Sequence, residues 1–286
     1  MVIIYILTDL ENTLGILVNG DDGLPAEEVG VWALEKQNYL CRYIDISRGV
    51  RKKYLGDDKG GATYVDLFCG PGRAQLPNGD FINGSCVAAW HKSLEGGSPF
   101  SQMLIADMDE IRLAAAVERL KRAGAPVLGF VGPAIDTAQT VLRHLPKYAL
   151  NFTFLDPFSL GDLDFNIFRS LSYARRMDII VHLSKMDLQR NLDRNISAAS
   201  SAFDRFAPGW RQSVAVEQGQ KAIRSELIEY WKDLISTVGF KASPEMQLIR
   251  GTREQPLYWL LLIASHDLAH KFWIDAANPD GQGKLF

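Results

Sequence analysis

The stretch that decides the fold runs from Thr63 to Arg73 and reads TYVDLFCGPGR. Its first half is a short apolar run with β-branched and aromatic residues, which is typical of a buried strand. Its second half contains Gly70 and Gly72, which let the backbone turn sharply and approach a ligand closely. We therefore predict a strand that ends in a glycine-rich loop. Asp66 comes just before this turn, where its carboxylate can accept a hydrogen bond from a ligand amine or hydroxyl.

Strand-like segments recur downstream of this loop, with helical segments between them. They are MLIAD (103–107), VLGFV (127–131), NFTFLD (151–156) and MDIIVHLS (177–184). Strands that alternate with helices predict βαβ units and a parallel sheet. Two later segments, MQLIRG and PLYWLLLIAS, are close enough in the chain to pair antiparallel. The pattern predicts an α/β fold with seven strands.

The composition is that of a globular protein, with 47% hydrophobic and 23% charged residues in a chain of 286. It excludes a disordered, collagen-like or coiled-coil chain. The net charge of −3 excludes a generic polyanion binder, because non-specific nucleic-acid affinity needs a net basic surface. A local basic face stays open, either for phosphates or as ordinary solvated surface. Its candidates are Arg48, Arg51, Lys52, Lys53, Arg169, Arg175 and Arg176.

Cysteine usage and hydropathy bear on location. Cys41, Cys69 and Cys86 have no regular spacing, which predicts a reduced protein without a zinc site. No apolar run reaches the roughly 18 residues that a membrane span needs. The opening MVIIYIL lacks the basic flank of a signal peptide, so we interpret it as a short strand or as residues upstream of the main domain. The predicted location is the cytoplasm.

The domain organisation follows from helical spacing and from the absence of a linker. The apolar residues after Pro25 repeat at helical spacing, which predicts a long helix with Pro25 in its first turn and a break near Ser47. We interpret residues 1–24 as an N-terminal extension. Residues 25–286 are predicted to form a single domain with a helical insertion at about 186–240.

Asp107 ends the second strand of the series, in MLIADMDE. In doubly wound folds an acid at this place accepts hydrogen bonds from a ribose diol, although the same residue could merely cap the next helix. For Asp109 we predict the cap. An NAD site is disfavoured, because Gln75 stands where the dinucleotide fingerprint has a third glycine.

A third strand end is LDPF, which closes the fourth strand of the series with Asp156, Pro157 and Phe158. Ligands of open α/β sheets bind outside the carboxyl ends of the strands. We therefore predict that this segment orients a substrate. The alternative for Phe158 is a place in the core, since an apolar ring beside a strand end is usually buried.

The glycine loop and the acid after it resemble motif I and the acidic motif of class I S-adenosylmethionine-dependent methyltransferases. The resemblance implies a Rossmann-like fold with a seven-stranded, mostly parallel sheet and an antiparallel edge hairpin. An extra N-terminal helix and a helical insertion would complete it. The resemblance also implies an S-adenosylmethionine site, held by Asp66, Phe68, Gly70, Gly72 and Asp107.

The segment LDPF resembles motif IV of amino-methylating enzymes, in a form that lacks one proline. In those enzymes the carboxylate or amide accepts hydrogen bonds from the target amine, and the aromatic ring stacks on a flipped base. The resemblance implies that Asp156, Pro157 and Phe158 orient a nucleic-acid acceptor for an in-line methyl transfer.

A resemblance that covers residues 22–276 is to the three-Cys-motif partner protein family (TcmP). It rests on DGLPAEEVGVWALEKQNYL, YVDLFCGPGR, INGSCVAAW, FLDPF, DIIVHLSKMDLQRN and YWLLLIASHDLAHKFW. It implies a methyltransferase-like fold and a functional link to a neighbouring three-Cys-motif protein. A second hypothesis follows, in which the fold is a scaffold that binds this partner without catalysis.

Four further residues are candidates for the site. Lys36 could neutralise a cofactor carboxylate or a nucleic-acid phosphate, or it could be a solvated helix lysine. Arg73 ends the glycine loop, and Ser85 either contributes to the site or caps a helix. Ser184 ends the fifth strand beside the predicted site. Motif III of the methyltransferases usually supplies an acid after the third strand, and here Asp136 is displaced from that place.

The segment HDLAH places His266 and His270 on one helix face, which is the arrangement of a zinc hydrolase. Asp is shorter than the Glu of that motif, and no third ligand is evident. This third hypothesis is the weakest, and we predict no metal.

Overall fold

The computed structural model describes residues 15–278. The strand or upstream segment expected at MVIIYIL lies outside the described residues.

Eleven strands, twelve α-helices and one short 3₁₀ helix, Leu160–Asp162, follow one another in this part of the chain. The strands are β1 Leu17–Asn19, β2 Pro25–Glu28, β3 Ala62–Asp66, β4 Arg73–Gln75, β5 Phe81–Asn83, β6 Gln102–Asp107, β7 Val127–Val131, β8 Leu150–Leu155, β9 Met177–Ser184, β10 Lys241–Arg250 and β11 Pro256–Ala264. The helices are α1 Trp32–Ile46, α2 Arg48–Lys52, α3 Ser85–Glu95, α4 Glu110–Arg122, α5 Ala134–His144, α6 Phe165–Leu171, α7 Lys185–Arg190, α8 Leu192–Ser197, α9 Ala202–Phe206, α10 Trp210–Ser213, α11 Gln220–Thr237 and α12 Asp267–Ala277.

The larger sheet has seven strands in the order β10-β11-β9-β8-β3-β6-β7. The strands from β9 to β7 pair in parallel, whereas β11 runs antiparallel to both β9 and β10. This arrangement confirms the predicted fold class, a Rossmann-like α/β fold with an antiparallel edge hairpin.

Helices cover both faces of this sheet. Successive residues of a strand point to opposite faces, so neighbouring residues pack against different helices. Tyr64 packs into a core with α1, α3, α4 and α12. The next residue, Val65, packs into a second core with α5, α6 and α11. All five residues of β3 are buried, which explains the continuous apolar run that predicted it.

The structure corrects the prediction around Pro25. Pro25–Glu28 is a strand of a smaller four-stranded sheet, in the order β1-β2-β4-β5, and the helix begins only at Trp32. The prediction of a helix start at Pro25 is wrong, because pairing of β2 with β1 and β4 overrides the local signal. The break expected near Ser47 is confirmed, since α1 and α2 meet there.

Five short or medium helices, α7 to α11, lie between β9 and β10. The boundaries of the domain, the extension and the insertion stay predictions. Among the described residues, none of the helices combines the length and the apolar character that crossing a bilayer requires.

Candidate active site

The carboxyl ends of the parallel strands meet at one edge of the sheet, where the predicted site residues lie. Asp66 ends β3, Asp107 ends β6 and Asp156 follows β8. Because β3 pairs with both β6 and β8, these three acids come from neighbouring strands. A ligand site at this edge is what an open α/β sheet favours.

The glycine-rich loop passes close to helix α4. Gly70 and Gly72 have φ values of +55° and +78°, a region that side chains with a Cβ rarely occupy. A Cβ on Gly72 would lie 3.2 Å from the Cα of Ala116 in α4. The loop is tied to β6 by the Cys69 amide, which donates to the carbonyl of Ala106 at 3.0 Å. The positive φ values favour glycine at both positions, and at Gly72 a Cβ would also be tight against α4.

Asp66 is fully buried beneath this loop. Its carboxylate accepts hydrogen bonds from the Ser85 hydroxyl at 2.5 Å, the Phe68 amide at 3.1 Å and the Tyr64 hydroxyl at 3.1 Å. It therefore organises the loop and holds the Ser85 hydroxyl at the edge of a cleft next to the loop. The helix cap expected as one role of Ser85 is absent, because Gly84 holds the cap position and Ser85 is the first helical residue.

Burial raises the pKa of Asp66 to about 7, against an ordinary value of 3.8, although the three hydrogen bonds oppose the shift. A carboxyl whose pKa is raised in the folded state stabilises the fold fully below the unfolded pKa and loses that contribution as pH rises. Wild-type stability should therefore fall between about pH 4 and pH 7, with a slope of up to about 1.4 kcal/mol per pH unit from this group. Urea unfolding at several pH values measures it. The variant Asp66→Asn should lack this part of the slope, and equal slopes in both proteins would contradict the assignment.

Asp107 holds the loop from the side of β6. Its carboxylate accepts from the Gly70 amide and from the Asp109 amide, each at 2.9 Å. Asp107 is not the cap of α4, since that position belongs to Asp109, which accepts from the amides of Ile111 and Arg112 as predicted. Burial raises the pKa of Asp107, and the two amides counteract this.

Asp156 is held between two side chains from distant parts of the chain. One carboxylate oxygen is paired with the Lys36 ammonium, and the other accepts from His182 Nδ1 at 2.8 Å. Burial alone would raise the pKa of Asp156, but the Lys36 charge and the His182 hydrogen bond outweigh it and leave the pKa below its ordinary value. Asp156 is thus a firmly ionised carboxylate and a weak proton acceptor. The alternative of a solvated Lys36 is corrected by this contact.

His182 is a residue that the sequence analysis missed. Burial lowers the pKa of His182. Because the ionised Asp156 can only accept, Nδ1 carries the proton of this hydrogen bond and donates it to the carboxylate. Nε2 is buried without a hydrogen-bond partner among the described residues, and the ring centroid lies 4.0 Å from that of Tyr258. His182 therefore positions Asp156. It could have been found by its polar character in the apolar strand MDIIVHLS.

Two clefts open on either side of Phe68. The first lies between α1, the small sheet and the glycine loop, and its polar lining includes Glu27, Lys36, Ser85 and Asp156. The second is lined by Asp107 together with Met108, Ile135 and Phe158. Phe68 lines both clefts, and Gly70 of the first donates to Asp107 of the second, so the two clefts lie next to each other at the glycine loop.

Phe158 and Pro157 differ in exposure. Pro157 is buried, whereas the Phe158 ring is 43% exposed at the second cleft. The alternative of a core position for Phe158 is therefore wrong, because the chain turns outward after β8. Asp136 lies in the first turn of α5, next to this cleft, and does not line it in the described structure.

Glu27 was also missed by the sequence analysis. Its side chain is 16% exposed in the first cleft and its Oε1 lies 3.1 Å from the Arg112 guanidinium. Burial raises the pKa of Glu27, and the Arg112 charge opposes this. No local signal marks the residue, because it lies in a four-residue strand that was predicted to be helical.

Other candidates are engaged elsewhere. Arg73 lines the first cleft, but its guanidinium is bound by Asp21 at 2.6 Å and Asn83 at 2.8 Å. Ser184 caps α7 by accepting from the Asp187 amide. Arg51 is only 2% exposed and donates to the carbonyls of Ser98 and Ile44. The prediction that it belongs to an exposed basic face is therefore wrong.

The two histidines of HDLAH lie apart from this edge. His266 caps α12 by accepting from the Leu268 amide at 3.1 Å, and His270 Nε2 is 3.2 Å from the Ala264 carbonyl oxygen. Among residues 15–278, no group of three or more His, Cys, Asp or Glu side chains is arranged to hold a metal ion. The hydrolase hypothesis receives no support from these contacts.

Comparisons with known proteins complete the description. No protein-family model matches this chain, and no curated protein matches it. Among solved structures, it is similar to an O-methyltransferase from Bacillus cereus in complex with SAH, at 12% identity and a TM-score of 0.47, over 80% of each chain. A Trm1 from Pyrococcus horikoshii with S-adenosyl-L-methionine matches at 10% identity and 0.47, over 80% of this chain and 54% of the other. A putative O-methyltransferase from Klebsiella pneumoniae matches at 14% identity and 0.45, over 85% and 83%.

Proposed function

We propose that this protein is an S-adenosylmethionine-dependent methyltransferase. The observation that carries the proposal is the position of Asp107 at the end of β6. Its carboxylate accepts a hydrogen bond from the Gly70 amide, and the residue lines the second cleft. A carboxylate next to a glycine loop is suited to a nucleoside, because it can accept from both ribose hydroxyls while the loop approaches the ligand.

The remaining lining fits the rest of such a cofactor. Met108, Ile135 and Phe158 offer apolar surface for a base, and the first cleft offers charged groups for an amino acid end. Bound there, the cofactor would supply an electrophilic methyl group, which an acceptor takes as the carbon–sulfur electron pair passes to sulfur. The protein contributes alignment and exclusion of water. Asp156, with its lowered pKa, would orient the acceptor and would not remove its proton.

The test of the cofactor is calorimetric titration of wild-type protein and Asp107→Ala with S-adenosylmethionine. Wild type should bind, and the variant should bind about 100-fold more weakly or not at all, since two charge-assisted hydrogen bonds and the brace on Gly70 are lost. Asp109→Ala is the matched control, because it removes an acid two residues away that caps α4. It should lower stability by about 1 kcal/mol and leave affinity unchanged. Equal affinity of wild type and Asp107→Ala would contradict the proposal.

For the acceptor we propose a nucleic-acid base, as the resemblance to motif IV implies. The exposed ring of Phe158 supports this, because an accessible aromatic ring after a strand end can stack on an extruded base. Transfer of labelled methyl from the cofactor to DNA, RNA and protein fractions tests it. Label only in protein would refute a nucleic-acid acceptor.

We also propose, on the resemblance to the TcmP family alone, that the chain acts with a three-Cys-motif protein in the cytoplasm. The three free cysteines are consistent with a reducing compartment. Co-expression of both proteins followed by co-purification tests the partnership. If the pair forms while neither the chain nor the pair binds S-adenosylmethionine, the scaffold hypothesis replaces catalysis.

A further inference from the structure

We infer that Glu27 and Lys36 form a charge pair that recognises the amino acid end of the cofactor, Glu27 at the ammonium and Lys36 at the carboxylate. This inference rests on the proposed function: it adds Glu27 to the site and assigns Lys36, a candidate from the sequence, to the cofactor carboxylate. An α-amino acid carries both charges on one carbon, so an acid and a base that line the same cleft match it.

Both residues come from outside the seven-stranded sheet. Glu27 lies on β2 of the small sheet and Lys36 on α1, and both line the first cleft beside Gly70 and Ser85. A ligand that lies across the glycine loop from Asp107 would reach this cleft with its far end. The N-terminal elements therefore add an acid and a base to the cleft, next to Asp156 of the sheet edge.

Lys36 has capacity left for a ligand. An ammonium has three donors, and the described contacts use one of them, on Asp156. The side chain is 23% exposed, so the other donors are accessible from the cleft. His182 fixes Asp156, and Asp156 in turn holds the Lys36 ammonium in place. The ammonium is therefore positioned for a ligand carboxylate before the ligand binds.

Glu27 also has one oxygen available. Its Oε1 is paired with Arg112, whereas Oε2 faces the glycine loop, 3.4 Å from where a Cβ on Gly70 would lie. A carboxylate accepts hydrogen bonds and donates none, so a ligand at this oxygen must be a donor. The ammonium of an amino acid meets that requirement.

The experiment compares three neutral-sulfur ligands by calorimetry on the full chain. S-adenosylhomocysteine has both charges, its decarboxylated analogue has the ammonium alone, and 5′-methylthioadenosine has neither. Wild type should bind the ligand without the carboxylate about 10- to 100-fold more weakly than S-adenosylhomocysteine. It should bind the ligand that also lacks the ammonium more weakly still, as expected for charge-assisted hydrogen bonds. This comparison needs no variant, so a folding defect cannot obscure it.

Two variants assign the charges. Lys36→Met should weaken S-adenosylhomocysteine about tenfold or more and leave the other two ligands unchanged. Glu27→Gln should weaken both ligands with an ammonium and leave 5′-methylthioadenosine unchanged. Binding of 5′-methylthioadenosine reports that each variant is folded. Lys92→Met is the charge control, since Lys92 pairs with Glu95 on the surface of α3, and it should change none of the affinities.

The outcomes separate this inference from the proposed function. If wild type binds S-adenosylhomocysteine and 5′-methylthioadenosine equally, the charge pair is refuted while the nucleoside site stands. If Lys36→Met leaves the preference for the carboxylate intact, Lys36 does not bind the cofactor carboxylate and its assignment is refuted. If none of the three ligands binds, the proposed function and this inference both fail.

Discussion

Replacing Asp156 with alanine should destabilise the protein by about 3 kcal/mol, the cost of removing one partner from a mostly buried ion pair. The Asp156 carboxylate is 18% exposed and the Lys36 side chain 23%, so water replaces the lost contact only in part. His182 loses the acceptor of its Nδ1 proton as well. Urea unfolding at neutral pH measures the change.

The matched control is Asp45→Ala, which removes another aspartate paired with a basic helix residue. Asp45 and Arg48 are 35% and 54% exposed, so this variant should cost at most about 0.5 kcal/mol. In the Lys36→Met background, Asp156→Ala should cost less than it does in wild type, because contacting residues couple by roughly 0.5–3 kcal/mol. Equal losses for Asp156→Ala and Asp45→Ala would show that the pair is solvated and does not organise the site.

The stabilisation that Asp156 contributes depends on pH with the opposite sign to the stabilisation that Asp66 contributes. The pKa of Asp156 is lowered in the folded protein, with burial opposing and the Lys36 charge and His182 prevailing. Its contribution is therefore present above the unfolded pKa of 3.8 and is lost as the pH falls through the folded pKa.

Replacing Gly72 with alanine should abolish cofactor binding, with a loss of about 100-fold or more, and lower stability by about 2–4 kcal/mol. The positive φ of +78° strains any side chain. The new Cβ would also lie 3.1 Å from the Val87 side chain and 3.2 Å from the Ala116 backbone, so the loop or these neighbours must move by a few tenths of an ångström. A shift here moves the amides that the ligand approaches.

Gly79→Ala separates strain from packing. Gly79 has a φ of +90°, and a Cβ there would meet nothing within 4 Å. This variant should lose about 1 kcal/mol of stability from backbone strain and keep its affinity. Calorimetry and urea unfolding of both variants make the comparison. If Gly72→Ala binds S-adenosylmethionine like wild type, the loop does not approach the cofactor.

Much of the large sheet was predictable, because its signals are local. Runs such as TYVDLF and MDIIVHLS contain the apolar residues that their own strands bury, and Gly70 and Gly72 mark the loop that follows β3 and ends at β4. The small sheet was missed, since strands of three or four residues have too few positions to show a period. Pro25 then favoured a helix that the strand pairing overrides.

The acids at the strand ends were likewise predictable, whereas their partners were not. Asp66, Asp107 and Asp156 follow apolar strands, and parallel pairing places such ends at one edge. Lys36 lies 120 positions before Asp156, and His182 lies 26 positions after it. No spacing rule links residues that far apart, so only the packing of α1 and the pairing of β9 with β8 bring the three side chains together.

By itself, the sequence determined the strands of the large sheet, the glycine loop and the three strand-end acids, since each depends on the residues next to it. The tertiary structure alone decided which charges share a cleft. It buried Asp66 beneath the loop, paired Lys36 with Asp156 and brought Glu27 from a short strand to Gly70. The physical reason is that hydrophobic burial sets each element locally. Side-chain ionisation and hydrogen bonding depend on neighbours that folding brings together from distant parts of the chain.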